Sequence, residues 1–521
     1  MSCRTLCCCI PLTLAMLFSA APLTGRAQEK PSVKLDPSTM AKRGTVDARY
    51  LSFNIEMVEI TGGRFWKPYR SGPVTPPQPG AHGPGPDLYE YRPPIDLSNP
   101  RLRKLAAALG PSYLRVSGTW ANSTWFQDND QPSAQPPSGF HSVLTRAEWK
   151  GVLDFSRVVD GALVSSVAVS AGTRDAQGVW TPTQAKALYD YTKSVGGSIA
   201  ATEFMNEPTF AAMGGAPANY TPADFGRDAK LFADFLRRES PGTLYLGPGG
   251  VGEGVSLAPP GMPLHLLASK DLLEASGPIF DVFSYHFYGG VSRRCGGHLT
   301  VDQALTADWL DRTETVESFY AGLRDQSLPG KPLWLTETAE AACGGDPLAA
   351  QFVDTFRFLN QLGTLAQRGV QVVMHNTLSA SDYGLLDEQT LDPRPDYWAA
   401  LLWKRLMGPT VLDPGSAGDA TLHLYAQCLP KHKGGVTVLA LNTDPKSARM
   451  LSLPGATESY TLTAPDLTST TVLLNGVPLR ANPDGSLSAF HAGYSHAGDV
   501  TVAPLSVTFL TMTQAKNPAC R

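Results

Sequence analysis

Three neighbouring segments decide the fold: LVSSVAVSA (residues 163–171), TPTQAKALYDYTKSVGG (181–197) and ATEFMNEP (201–208). The first and third are short apolar runs, which are typical of buried strands. The middle segment opens with Thr181, Pro182 and Gln184, a capping box with proline in the first turn, and it ends at two glycines. A strand, a helix and a second strand in this order predict a βαβ unit.

The same alternation runs through most of the chain. Apolar segments predict eight strands, at residues 50–57, 113–119, 163–171, 201–206, 244–247, 280–288, 332–338 and 370–378. The segments between them are long enough for crossover helices, and one such helix is predicted to begin at Thr221, Pro222 and Asp224. Alternating helices and eight strands predict an α/β fold, a (β/α)8 TIM barrel.

The pattern changes near residue 410. Short strand candidates lie at residues 422–428, 435–441, 449–453, 459–462, 470–474 and 505–512, with Gly, Pro or Asn between them. This spacing predicts a C-terminal β-sandwich domain. We expect a signal peptide at 1–27, an N-terminal segment at 28–47 that joins the sandwich, the barrel at 48–408 and the sandwich at 409–521.

Composition and the first residues bound the class of protein. The 521 residues are 42% apolar and 17% charged, and the net charge is −4 without any long basic block. These values indicate a folded protein and exclude a nucleic-acid-binding face. Residues 1–27 combine Arg4, an apolar run and small residues around Arg26, which predicts an export signal. We therefore expect a secreted or periplasmic monomer that has no membrane contact after signal cleavage.

Signal cleavage would leave four cysteines, which allow three pairings. They are Cys295, Cys343, Cys428 and Cys520. Their spacing does not suit zinc, and we expect neither a metal nor a cofactor.

Two carboxylates follow predicted barrel strands. Glu207 lies in an Asn-Glu-Pro sequence after the fourth strand, and Glu337 lies after the seventh. Active sites of such barrels lie at the carboxyl ends of the strands, so both side chains should point into one cleft. A single strand-end Glu is more often a salt-bridge partner, but a pair at matching positions indicates hydrolysis of a glycosidic bond. We expect His286 and His375, also at strand ends, to be hydrogen-bonding partners rather than bases.

Several further motifs carry a family resemblance. They are NPRLRKLA (99–106), YLRVSGT (113–119), WLTET (334–338) followed by a glycine pair, DPRPDYW (392–398), LYAQC (424–428) and PAC (518–520). With the two acids, the chain resembles the retaining glycosidases that carry their catalytic acids on strands 4 and 7. Within that clan it resembles glycoside hydrolase family 79, the heparanase and β-glucuronidase family, over nearly the whole mature chain.

The resemblance implies a role for each matching residue. Glu207 would be the acid/base and Glu337 the nucleophile. The resemblance implies substrate contacts for eight others: Asn206 on the sugar 2-hydroxyl, Tyr288 beside the nucleophile, Glu56 and Thr119 on ring hydroxyls, Gly344, Gly345 and Tyr383 on the uronate carboxylate, and Arg293 in the cleft. It also implies a Cys428–Cys520 disulfide. Independently of the resemblance, Cys295 and Cys343 follow neighbouring predicted strands, so we expect a second bridge between them.

The resulting prediction is a retaining β-glucuronidase that hydrolyses oligosaccharides or polysaccharides containing glucuronic acid. The basic and aromatic segment 64–70 and the Arg293–Arg294 pair favour internal cleavage of a heparan sulfate-like or hyaluronan-like polymer. Segment 64–70 is equally compatible with a loop packed on its own aromatics, and the Pro/Gly-rich loop at 72–94 could instead enforce exo action. An arabinofuranosidase or xylosidase of the same clan, and a non-catalytic carbohydrate-binding protein, remain the alternatives.

Overall fold

The structure, a computed structural model, describes residues 32–69, 88–133, 135–257 and 266–521. The predicted signal peptide, Arg70 of the basic segment and most of the Pro/Gly-rich loop lie outside the described residues. The remaining sequence predictions can be compared with the observed elements.

Eight parallel strands form a closed barrel and pair in chain order, the last with the first. They are β1 (Leu51–Glu56), β2 (Ser112–Ser117), β3 (Gly161–Ser166), β4 (Ala201–Glu203), β5 (Leu244–Gly250), β6 (Val282–Val291), β7 (Leu333–Ala342) and β8 (Val372–His375). Each overlaps one of the eight predicted segments. The predicted TIM barrel is therefore confirmed.

One helix of eight or more residues follows each barrel strand in the part of the chain that the structure describes. These helices are α1 (Pro100–Ala107), α2 (Arg146–Val158), α3 (Thr183–Ser194), α4 (Pro222–Glu239), α5 (Ser269–Ser276), α6 (Arg312–Ser327), α7 (Asp354–Gln367) and α8 (Pro395–Leu406). Two shorter helices, Met57–Thr61 and Ala307–Leu310, lie in the connections after β1 and β6. None of the helices in the described ranges is long and apolar enough to cross a membrane.

The helix ends show where local sequence signals succeed and fail. Helix α4 begins with the expected capping box, because Thr221 and Asp224 each bind the other's backbone N–H. The capping box predicted from Thr181 and Gln184 does not form at α3. There the Gln184 side chain accepts a hydrogen bond from the backbone of Phe126 instead. A tertiary contact has replaced the local one.

The barrel interior has an apolar layer below a polar one. The apolar layer is a buried cluster of Val164, Ala201, Leu246, Val282, Trp334, Val372 and Met374, and Tyr113 of β2 packs against it. Because side chains alternate along a strand, the residue two positions further faces the same side. On β2 and β4 those positions hold Arg115 and Glu203, both buried. The charged groups of the site thus lie directly above a buried apolar layer that fills the barrel.

Two sheets occupy the C-terminal region. One contains Lys42–Thr45, Thr410–Leu412, Leu422–Cys428, Val436–Asn442, Ser506–Met512, Thr457–Thr463, Leu473–Leu474, Val477–Pro478 and Gly493–Ser495. The other contains Val33–Lys34, Arg449–Leu453 and Gly498–Val502. Side chains from both sheets, including Leu424, Val438, Leu451 and Val500, share one apolar cluster. The segment before the barrel therefore pairs with the C-terminal strands.

Two small sheets lie in the barrel connections. Gly63–Trp66 pairs with Tyr89–Arg92 after β1, and Thr124–Gln127 pairs with Ser142–Thr145 after β2. The first of these places part of the predicted basic and aromatic segment on a hairpin beside the site.

Candidate active site

The two predicted acids lie close together at the carboxyl end of the barrel. Glu207 comes just after β4 and caps a short 3-10 turn at Pro208–Phe210, with a left-handed φ of 47°. Glu337 lies on β7. A carboxylate oxygen of each acid and a ring nitrogen of His286 all lie within 4.8 Å of one another. The structure thus brings the predicted pair into one cleft.

Glu337 is buried and held by two donors. The Tyr288 hydroxyl donates to its Oε1 at 2.6 Å, and Arg115 Nη1 donates to its Oε2 at 2.8 Å. Hydrogen bonds from a cation and a hydroxyl stabilise the ionised carboxylate and fix its direction. This environment suits a nucleophile.

Glu207 is in a different environment. Its Oε1 lies 3.1 Å from His286 Nδ1, and its side chain is 17% exposed. Burial and the nearby charge of Glu337 raise the pKa of Glu207, although His286 opposes the shift. A carboxyl group that keeps its proton near an ionised partner suits a general acid.

His286 lies on β6 between the two acids. The strand register pairs it with Glu337, just after an irregularity at Tyr285. Burial favours the neutral ring, but Glu337, Glu203 and Glu207 together raise the pKa of His286 to about 9. The imidazole is therefore protonated at neutral pH, which agrees with a hydrogen-bonding role and not with a base.

Two charged residues of the site were not predicted from the sequence. Arg115 Nε and Nη2 donate to Glu203 Oε2 at 3.0 and 2.8 Å, and Nη2 also donates to Asn206 Oδ1 at 2.7 Å. Burial opposes ionisation of Glu203, but Arg115 and His286 lower its pKa to about 2. Arg115 and Glu203 form a buried ion pair that contacts Glu337 and Asn206 through Arg115.

Asn206 is fixed on three sides. Asn122 accepts a hydrogen bond from its backbone N–H at 2.8 Å and donates to its carbonyl at 2.9 Å. The Asn206 amide also donates to Thr119 Oγ1 at 3.4 Å. Asn206 and Thr119, both predicted to contact the sugar, are thus neighbours.

Glu56 is the last residue of β1, and only one of its two carboxylate oxygens accepts a hydrogen bond from the described residues. Asn376 donates to Glu56 Oε1 at 3.2 Å and reaches the Tyr288 hydroxyl at 3.1 Å. Glu56 Oε2 is buried and accepts no hydrogen bond from the described residues. Burial, followed by the charge of Glu337, raises the pKa of Glu56 well above its usual value. Gly118 is required here, because a Cβ on it would lie 1.6 Å from Glu56 Oε2.

The glycine pair after β7 forms a tight turn against Tyr383. Gly344 and Gly345 have φ values of 81° and 80°, which favour glycine. A Cβ on Gly345 would lie 2.9 Å from the Tyr383 backbone nitrogen. The Gly344 carbonyl accepts from Ser381 Oγ at 2.9 Å, which fixes the turn. The structure therefore brings the three predicted carboxylate-binding residues together.

The two neighbouring arginines are both paired. Arg293, predicted to lie in the cleft, is half-exposed and donates to both oxygens of Asp346, at 2.9 and 2.7 Å. Arg294 is buried, pairs with Asp382 at 2.5 Å and lies over the Tyr69 ring at 4.2 Å. Arg294, which the sequence analysis named only as part of a basic pair, also donates to the Gly345 carbonyl at 3.3 Å.

Two disulfides are present, and both join the residues that the sequence analysis paired. Cys295 bonds to Cys343, which directly precedes the glycine turn. Cys428 bonds to Cys520 within the C-terminal region. The first bridge ties the end of β6 to the end of β7 beside the site.

Glu207, His286 and Glu337 also form a compact group of potential metal-ligand atoms. The fixed positive charge of Arg115, bonded to Glu337 and 3.4 Å from His286 Nε2, opposes a second cation there. The arrangement suits acid/base chemistry better than metal binding.

No protein-family model matches the chain. Curated relatives do. The chain is 28% identical to heparanase from Mus musculus over 484 residues, which cover 81% of this chain and 88% of that one. It is 27% identical to baicalin-β-D-glucuronidase from Scutellaria baicalensis (80% and 83% covered) and 27% identical to hyaluronoglucuronidase from Hirudo nipponia (82% and 92%). The chain is thus similar to heparanases and β-glucuronidases over 80–82% of its length. The resemblance inferred from the motifs is confirmed, and the chain is a glycoside hydrolase.

Solved structures agree on the fold. A 4-O-α-L-rhamnosyl-β-D-glucuronidase from Fusarium oxysporum superposes with a TM-score of 0.62 at 12% identity, covering 93% of this chain and 99% of that one. A family 51 α-L-arabinofuranosidase from Thermotoga petrophila gives 0.61 at 15% identity, covering 92% and 99%. At this identity the likeness establishes the fold, a barrel with an additional β-region. Substrate specificity has to be argued from the residues of the site.

Proposed function

We propose that this protein is a retaining β-glucuronidase, with Glu337 as nucleophile and Glu207 as acid/base. The observation that carries the proposal is that one carboxylate oxygen of Glu207 and one of Glu337 lie within 4.8 Å of each other. Retaining glycosidases hold their carboxyl groups about 5–5.5 Å apart, whereas inverting enzymes leave roughly 6.5–9.5 Å for a water molecule. The short distance supports a covalent intermediate.

The proposed reaction has two steps. A Glu337 oxygen attacks the anomeric carbon, the glycosidic C–O bond breaks, and the leaving oxygen takes the proton of Glu207. A water molecule then gives a proton to Glu207 and attacks the anomeric carbon, which releases the sugar and regenerates ionised Glu337. Arg115 and Tyr288 stabilise Glu337 whenever it is ionised.

Selection of a glucuronide is assigned to the glycine turn and Tyr383. A uronic acid carries a carboxylate at C5, and burying it without donors is costly. The backbone N–H groups of a glycine turn can approach such a group closely, since no Cβ intervenes. The names of the curated relatives, two of which are glucuronidases, support the same substrate class.

Glu56 and Asn206 are assigned to the ring hydroxyls. The open Oε2 of Glu56 is a buried acceptor, and a substrate hydroxyl would satisfy it. Asn206 is the residue next to the acid. Arg115 and Thr119 orient its side-chain amide, and Asn122 holds its backbone. These contacts would fix the sugar before the glycosidic bond breaks.

Export to an oxidising compartment completes the proposal. Two disulfides are typical of secreted, periplasmic or lumenal proteins. Cleavage of the predicted signal at residue 27 and a monomeric state remain predictions. Internal cleavage of a polymer also remains a prediction. Arg293 and Arg294, which were expected to attract a polyanion, are both paired with acidic side chains.

A panel of aryl glycosides tests the specificity. The wild type should hydrolyse the β-glucuronide, and the Glu337→Gln variant should lose at least about 10³-fold in kcat. Equal or faster hydrolysis of the arabinofuranoside, xyloside or glucoside would contradict the glucuronidase assignment and leave the glycosidase assignment intact.

A further inference from the structure

A buried carboxyl group lies behind the glycine turn. Glu340 is on β7, three positions after Glu337, and alternation along the strand directs its side chain to the opposite side. There its Oε2 accepts a hydrogen bond from the backbone N–H of Asp346 at 3.0 Å. Asp346 directly follows Gly345, so this bond holds the end of the turn that is assigned to the uronate carboxylate.

The turn has two open donors next to the one that Glu340 occupies. The N–H groups of Gly344 and Gly345 have no acceptor among the residues that the structure describes. The next N–H along the chain, that of Asp346, is bound by Glu340. Because consecutive Cα atoms are only about 3.8 Å apart, a substrate carboxylate on the two glycines and the Glu340 carboxyl group would bind to adjacent residues.

Two ion pairs lie near Glu340 and leave it without a cation of its own. Arg293 donates to both oxygens of Asp346, at 2.9 and 2.7 Å. Arg357 of α7 donates to both oxygens of Asp354, at 2.6 and 2.8 Å. Each arginine is thus engaged by another acid, and Glu340 is a third acid beside two cations.

These surroundings favour the protonated form of Glu340. Its Oε1 is buried and has no hydrogen-bond partner within the described ranges, and a buried carboxylate without a cation is costly. Burial, followed by the charges of Asp354 and Asp346, raises the pKa of Glu340 to about 8. Arg357 opposes this rise, but Asp396 of α8 lies 3.7 Å from Arg357 and shares its charge. Glu340 is therefore neutral below this pH and negative above it.

We propose that Glu340 is a positioning residue for the glycine turn and that loss of its proton weakens binding of the glucuronide carboxylate. Neutral Glu340 holds the end of the turn through the Asp346 N–H and adds no negative charge beside the substrate. Ionised Glu340 would keep that bond but repel the substrate carboxylate. The inference rests on the proposed function and adds a pH-dependent control of substrate binding.

Two slowly cleaved ligands that differ in charge test this inference. They are methyl 1-thio-β-D-glucuronide and its uncharged C6 amide, and the measured quantity is the ratio of their inhibition constants on hydrolysis of an aryl glucuronide. Effects that act equally on both ligands cancel in this ratio. In the wild type, the charged ligand should weaken about ten-fold relative to the amide from about pH 6.5 to about pH 9, because two negative charges then lie close together in a partly buried site.

Variants at position 340 assign the effect. Glu340→Gln keeps an acceptor for the Asp346 N–H but cannot ionise, so the change of the ratio with pH should fall below about three-fold. Glu340→Met, which is also uncharged and of similar length, gives the same readout if the glutamine variant does not fold. Glu317→Gln, at a buried carboxyl group on α6 that is bonded to Arg368, is the matched control and should keep the wild-type change.

The outcomes separate this inference from the proposed function. A ratio that stays constant with pH in the wild type, or that changes equally in Glu340→Gln, would overturn the inference while hydrolysis of aryl glucuronides stands. Failure of the wild type to hydrolyse aryl glucuronides at any pH would overturn the proposed function, and the inference with it.

Discussion

The 3.1 Å contact between His286 and Glu207 joins a cation to a group that must carry a proton. His286 is positively charged below its pKa of about 9, and this charge lowers the pKa of Glu207. Burial and Glu337 act in the opposite direction and prevail, so the pKa of Glu207 is raised overall. The protonation of Glu207 therefore depends on the balance between burial, Glu337 and His286.

Removal of the His286 charge should shift the alkaline limb of activity. Glu207 acts only while protonated, so activity falls as pH rises through its pKa. His286→Gln removes a cation that lowers this pKa. The alkaline limb of kcat/KM should therefore move to higher pH, by about one unit. The matched control is His141→Gln at an exposed position, and a shift to lower pH in His286→Gln would contradict the assignment.

Tyr383→Phe tests the carboxylate-binding residues. A hydrogen bond to a charged group contributes about 1.5–3 kcal/mol, so the variant should lose roughly 10- to 150-fold in kcat/KM on glucuronides. The loss should not appear on aryl glucosides if these are hydrolysed at all. Parallel losses on both sugars would indicate a structural effect of this buried ring and not carboxylate recognition.

The sequence revealed the site acids because each follows a strand that the pattern could place. It did not reveal Arg115, although the residue lies inside a motif quoted for the family. The available signal was a cation at an inward-facing position of an apolar strand, since a buried charge needs a partner. Its partner Glu203 lies 88 positions away along the chain, and only folding brings the two together.

At the scale of elements, the disulfides secure different parts of the molecule. Cys295–Cys343 spans 48 positions and ends at the glycine turn, whereas Cys428–Cys520 spans 92 positions far from it in sequence. Loop-closure entropy gives each bridge about 4 kcal/mol. Their effects on stability should therefore be similar, and their effects on the site should differ.

Paired serine variants separate these effects. Both double variants should unfold at lower denaturant concentration. The Cys295→Ser/Cys343→Ser variant should also raise KM for glucuronides, because it frees the turn at Gly344. The Cys428→Ser/Cys520→Ser variant should leave KM unchanged. An unaltered KM in the first variant would show that the bridge does not position the turn.

Element prediction worked best for the barrel strands, which are mostly buried. All eight barrel strands overlap the predicted segments. The strands that the sequence did not reveal include the four of the two small sheets in the barrel connections. They also include Thr410–Leu412, Val477–Pro478, Gly493–Ser495 and Gly498–Val502, which are short or carry exposed residues. Their pairing depends on partners distant in sequence, so local patterns do not show it.

At the scale of the whole molecule, the barrel and the C-terminal strands share one hydrophobic core. Tyr425 on the strand Leu422–Cys428 belongs to the same cluster as Phe358 of α7. Its ring lies against Gly363 of α7, where an added Cβ would lie 2.2 Å from it, and its hydroxyl bonds to Asn360 at 2.5 Å. We expect the predicted boundary at residues 408–409 to mark a change of secondary structure and not a folding boundary.

Calorimetry of two helical glycine variants tests this expectation. The wild type should unfold in a single transition. Gly363→Ala should lower the free energy of unfolding by about 1–3 kcal/mol, because it forces Tyr425 away. Gly151→Ala in α2, where an added Cβ meets nothing within 4 Å, is the matched control and should be neutral or stabilising by up to about 1 kcal/mol. Two separate transitions in the wild type would contradict a shared core.

The most direct test of the central claim is the configuration of the first product. Proton NMR of an aryl β-glucuronide digest, recorded before mutarotation, distinguishes the two anomers of free glucuronic acid. The short distance between Glu207 and Glu337 predicts that the β-anomer appears first and the α-anomer only later. Initial release of the α-anomer would contradict the retaining mechanism and the roles assigned to both acids.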